Sequence, residues 1–161
     1  MLAVLQKPEI LDALKRRPIK EIIIRRLADR TTSAFYVYED QSITVNSARK
    51  LGVHVGEEFR PGVTINMSAA TTDKMESTRR ALLQEIAHHM EGIGGAGELM
   101  RSGFENPKKR PITQYAADAG WREYFAESLV AHFVDPAALQ RYDPSGSMIM
   151  MVKAVLSAVR K

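Results

Sequence analysis

Apolar residues take helical spacing near the start of the chain, alternate through the next stretch, and return to helical spacing for the second half. Over Pro8–Arg17, Ile10, Leu11 and Leu14 recur at intervals of three and four, which predicts a short amphipathic helix opened by Pro8 and stopped by Pro18. Three β-rich stretches follow, Ile19–Leu27, Ala34–Glu39 and Ser42–Asn46. The last two flank Asp40-Gln41 and are rich in Phe, Tyr, Val, Ile and Thr, the composition of a hairpin. Past Gly52, Gly56 and Pro61-Gly62, Val63–Met67 sets Val, Ile and Met against Thr and Asn and predicts one more half-buried strand, at the edge beside a cleft.

The period then changes. Asp73 and Glu76 make a capping-box-like start, and Met75, Leu82, Leu83, Ile86 and Met90 form one apolar stripe ending at Gly92. Gly92 to Pro111 holds five Gly and two Pro and reads as a long irregular loop, with one helical turn at Glu98–Arg101. A second strong helix is predicted from Trp121 to Phe133, a short one after Asp135-Pro136 to Tyr142, and a closing one over Met148–Val159. There is no internal repeat, low-complexity segment or linker. The expectation is a single α+β domain over residues 1–161, a small twisted sheet, mostly antiparallel or mixed, packed on the Asp73–Glu91 helix with Trp121–Phe133 completing the cleft.

Composition narrows the chemistry. With 45% hydrophobic and 26% charged residues the chain is that of a globular protein, and the absence of cysteine excludes disulfides and thiolate metal sites. Any metal must be held by His, Asp or Glu. The net charge of +4 is mild, and no aromatic residues interleave with Lys15-Arg16-Arg17 or Lys108-Lys109-Arg110, so nucleic acid is not the expected partner. The longest apolar run near the N-terminus, Ile22–Ile24, is far too short for a signal segment or a membrane span, and a cytoplasmic protein is expected. His54 and His132 read as surface or packing residues, and most of the eight Met as core filling.

The polar side of the Asp73–Glu91 helix carries Gln84, Glu85, His88 and His89. Residues 84 and 88 lie one turn apart with Glu85 beside them, the spacing of H-E-x-x-H with Gln in place of the first His. Taken alone, this pattern also describes an ordinary polar helix face. Thirty-five residues after His88 comes Glu123-Tyr124-Phe125-Ala126-Glu127, two carboxylates at i, i+4 in a segment of otherwise buried character. Isolated carboxylates there are costly unless a metal or the His88 imidazole partners them.

With these motifs, the Gly-rich loop and Ile112-Thr113-Gln114-Tyr115-Ala116, residues 8–142 resemble the zincin metallopeptidases of the gluzincin type. They are similar to the catalytic domain of anthrax lethal factor, the Pro-Pro endopeptidases and phage-encoded zincin-like domains. The resemblance implies a zincin-like fold in which Glu85 is the general base, His88 and Glu123 are zinc ligands, and Glu127 orients a ligand histidine. Tyr115 would donate to the oxyanion of peptide hydrolysis, although it stands one residue further from the ligand Glu than in the family.

The departure is Gln84. An amide offers only a neutral carbonyl oxygen where zinc prefers imidazole, and His89 points about 100° further round the helix than His88, so it cannot substitute. Zinc is therefore expected to bind weakly or not at all unless residue 84 is His. The leading expectation is an inactive, metal-deficient member of the metallopeptidase family. Two alternatives stand beside it: an active zinc endopeptidase acting on a peptide or protein substrate, and a structural or binding component of a phage particle or other assembly, which would place it in the virion. A carboxylate-rich di-metal site is a weaker reading, because four suitable helices are not evident.

Overall fold

The computed structural model describes residues 6–28, 32, 34–46 and 74–161. The predicted strand Val63–Met67, the capping residue Asp73 and His54 lie outside these residues. Among the described residues the fold is α+β, a small three-stranded mixed sheet packed against seven helices that lie mostly in the C-terminal half.

The chain opens with α1 (Pro8–Arg16), which has Pro8 in its first turn, Glu9 near its N-terminus and Lys15 and Arg16 in its last turn, each sign placed to favour the helix dipole. It buries Ile10 and Ala13. After Pro18 come β1 (Glu21–Arg25), β2 (Ala34–Val37) and β3 (Ser42–Asn46). The expected hairpin is present: β2 pairs antiparallel with β3, with Tyr36 opposite Ile43, and the turn is closed by Gln41 at φ 52°. The outer strand β1 runs parallel to β3, with Glu21 opposite Ser42, so the order is β1-β3-β2. All five residues of the central strand β3 are buried. Its last residue, Asn46, uses both ends of its side chain, accepting from the Leu27 amide at 3.2 Å and donating to the Thr32 carbonyl at 2.8 Å. That amide ties the β1–β2 connection to the end of the sheet.

Helix α2 (Lys74–Met90) lies against β2 and β3 with Leu82, Leu83, Ile86, Ala87 and Met90 buried, the stripe its periodicity predicts. The expected loop from Gly92 to Pro111 is instead half helical. It contains α3 (Ala96–Glu105), ten residues long, with Ala96 and Met100 buried. A Cβ on Gly103 would lie 2.5 Å from Met151 Cγ, so glycine here permits a close approach to the C-terminal helix. The sequence pattern also gave no sign of α4 (Gln114–Ala119), whose N-cap Thr113 accepts from the Ala116 amide at 2.9 Å.

Gly120, at φ 100°, lets the chain turn sharply into α5 (Trp121–Val134). Every residue of α5 from Tyr124 to Ala131 is buried, because this helix is packed by α2, α3, α4, and then by α6 (Pro136–Tyr142) and α7 (Ser147–Ala158). A helix buried on all sides over two turns is a central element, not a surface one. The start of α7 is fixed by Asp143, whose Oδ2 accepts from the Met148 amide at 2.8 Å and the Ser147 hydroxyl at 3.0 Å. None of the described helices is long and apolar enough to cross a membrane.

Candidate functional site

The sequence candidates on α2 and α5 meet because the first turns of α5 cross the polar side of α2. Glu123, in the first turn of α5, directs both carboxylate oxygens at α2. Its Oε2 accepts from Gln84 Nε2 at 3.1 Å and its Oε1 lies 3.2 Å from His88 Nε2. One carboxylate therefore spans two side chains a helical turn apart. Both charged partners are largely withdrawn from water, with side-chain exposures of 11% for His88 and 17% for Glu123.

The electrostatics follow from this contact. Burial alone would lower the His88 pKa, but the hydrogen bond and charge of Glu123, with Glu85 and Glu91 nearby, raise it above the ordinary histidine value. Burial alone would raise that of Glu123, yet its bonds to His88 and Gln84 and the His88 charge hold it below the ordinary carboxylate value. The two shifts describe one charge-assisted pair. Glu85, buried beside it, is different. Burial pushes its pKa up to about 7, with the Glu123 charge adding to the rise and His88 and a hydrogen bond from the Tyr36 backbone opposing it. A carboxyl group that exchanges its proton near neutral pH is suited to general acid–base work.

The other candidates lie on α4 and further along α5. Glu127 is buried in the centre of α5, and its Oε1 accepts from the Thr113 hydroxyl at 2.6 Å. The resemblance has Glu127 orient a ligand imidazole; this bond ties it to the N-cap of α4. Tyr115 lies on α4 and is 45% exposed. His132 is half-buried near the end of α5, its ring edge-on to Phe133, with a pKa lowered by burial and by Lys153.

His89 is a residue whose role the sequence did not suggest. It is fully buried, with Nδ1 2.8 Å from the Tyr36 hydroxyl and Nε2 bonded to the Arg17 carbonyl. Nε2 must donate to a carbonyl, so Nδ1 is the acceptor for the Tyr36 hydroxyl and the ring is neutral, in accord with a pKa lowered by burial. One imidazole thus joins the segment after α1, strand β2 and helix α2 behind the site. The helix period placed it away from His88 but carried no information about its partners.

The donor set does not fit zinc as a gluzincin holds it. Where a second imidazole would stand, Gln84 presents an amide N–H that is already bonded to the carboxylate of Glu123. Among the described residues, no three His, Cys, Asp or Glu side chains are grouped to hold a metal ion. The arrangement instead clamps α2 to α5 through its own hydrogen bonds. No family model, curated protein or solved structure gives a match to the chain.

Proposed function

We propose that the chain is a zincin-like domain that binds a peptide or protein segment, its hydrolytic metal centre replaced by a hydrogen-bonded clamp of Gln84, Glu123 and His88. The observation that carries this reading is the two-oxygen bridge from Glu123 to residues 84 and 88. A carboxylate from a second helix closing on positions i and i+4 of the first is the arrangement of an H-E-x-x-H zinc site with a third ligand Glu. Here the amide of Gln84 completes it without an ion. Glu85, at the place of the general base and with a pKa near 7, supports the same ancestry. It is also the observation that favours the second reading, an active endopeptidase.

Zinc titration by calorimetry on the natural chain and on Gln84→His tests the proposal. The natural chain is expected to bind zinc weakly, and Gln84→His to bind one zinc at least about 100-fold more tightly, since a second imidazole bound directly to the ion is worth more than the outer contacts whose loss costs about 10–100-fold. Tight zinc binding by the natural chain, with peptide hydrolysis, establishes the second reading instead. No gain of zinc in Gln84→His removes the zincin-like reading altogether.

A further inference from the structure

Three consecutive residues lead out of the site along the first turn of α5. Glu123 faces α2, Arg122 reaches Glu91 at the end of α2, and Trp121 turns toward α3. The Arg122 guanidinium makes two bonds of 2.8 Å to Glu91, from Nε and Nη2, and lies 4.6 Å from the Trp121 ring centroid and 5.5 Å from that of Tyr38. Arg101 of α3 lies 5.3 Å from the same indole. The result is a ladder, Tyr38–Arg122–Trp121–Arg101, that begins at the rim of the site. Its closeness to the site is also electrical, because the Glu123 charge is felt at Tyr38 and the His88 charge at Glu91.

The two guanidiniums are not equivalent. Glu91 compensates Arg122, whereas exposed Arg101 has no carboxylate partner among the described residues. Stacking on an indole holds a guanidinium in one plane and leaves its N–H edge directed at solvent, a fork that matches a carboxylate. We infer that Arg101, braced on Trp121, is an anchor for an acidic side chain of a partner peptide whose neighbouring residues run along the rim past Arg122 and Tyr38. The inference rests on the reading of the site as peptide-binding and adds the chemical class of its partner.

Charge decides against a nucleic acid here. A polyanion laid along the rim would bring further phosphates toward Glu91 and Glu123, and the indole a base would stack on already has two guanidiniums against its ring. A peptide with a single acidic residue brings one negative charge to Arg101 instead of a row of them.

The experiment selects binders from a random dodecapeptide library displayed on phage, using the full chain, Arg101→Glu, Arg101→Gln and, as a control on a remote cation, Arg160→Glu. Circular dichroism checks that each variant folds. The natural chain and Arg160→Glu are expected to enrich peptides with one Asp or Glu at a fixed position. Synthetic copies of those peptides are expected to bind Arg101→Gln about tenfold more weakly, and Arg101→Glu to enrich Lys or Arg at that position. Enrichment with no acidic position, or the same acidic position on Arg101→Glu, overturns the anchor and leaves the peptide-binding reading standing. Failure of the natural chain to enrich any peptide overturns both. Binding of a fluorescein-labelled oligothymidylate that Arg101→Glu weakens, with no acidic peptide enriched, overturns the inference in favour of nucleic acid. Zinc binding by Gln84→His is read separately and does not depend on Arg101.

Discussion

Glu85 is a carboxyl group kept where it is least comfortable. Its folded-state pKa, about 7 against an ordinary 4.5, means that folding favours the protonated form. The associated stability is fully present below about pH 4.5 and is lost as pH rises through about 7. Glu85→Gln keeps the shape and has no proton to lose. The variant is expected to match the natural chain near pH 4.5 and to exceed it at pH 8 by up to about 3 kcal/mol, as read from urea denaturation midpoints. Parallel stability curves for the two proteins would mean that Glu85 is better solvated than its burial implies. At this scale the sequence was informative where one helix decides the geometry. The one-turn spacing of Gln84, Glu85 and His88 is a property of α2, and Glu123 was legible as their partner because a carboxylate in an apolar segment needs one. The bonds of Glu127 to Thr113 and of His89 to Tyr36 and Arg17 were not legible, since each depends on how separate elements dock.

Between elements, the same division holds. Long periodic segments such as α2, α5 and α7 were predicted closely, and the β2–β3 hairpin was marked by its turn and its β-branched and aromatic residues. Helix α3 was read as a loop because Gly97 and Gly103 lower helical propensity, and what overrides that cost is packing against α7. Gly103 is therefore the residue to test. A methyl group there meets Met151 Cβ at 3.0 Å as well as the more mobile Cγ and Sδ, so the whole side chain must give way. Gly103→Ala is expected to destabilise by about 1–3 kcal/mol despite the better helix former, in thermal or urea unfolding. A gain in stability would show that α3 and α7 separate easily. Helix α4 was missed for a simpler reason, since six residues carry less than two turns of pattern and its signal is only the Thr113 cap.

Across the molecule, one contiguous apolar core includes Ile10 and Ala13 of α1, Tyr36, Ile43 and Val45 of the sheet, the buried stripe of α2, and residues of every helix but α4 beyond it. A core shared in this way predicts a single unfolding transition, with Trp121 fluorescence and far-ultraviolet circular dichroism changing together. It also decides what joins the first helix to the last. Arg160 pairs with Glu9 at 3.3 Å and Asp12 at 3.4 Å, but these side chains are partly exposed. Arg160→Ala is expected to cost less than about 1 kcal/mol. Ile10→Ala, which empties a fully buried position, is expected to cost about 2–5 kcal/mol, measured by the same urea titration. Equal losses would assign the contact to charge instead of packing.

The amide of Gln84 carries one more consequence, in the language of genetics. Codons for glutamine and histidine differ only in the third base, so a single nucleotide exchange separates the clamp that bridges Gln84, Glu123 and His88 from a pair of imidazoles facing the same carboxylate. On the reading proposed above, the domain therefore stands one mutational step from a form whose cohesion would depend on the supply of an ion. The form in hand draws that cohesion from hydrogen bonds within its own chain.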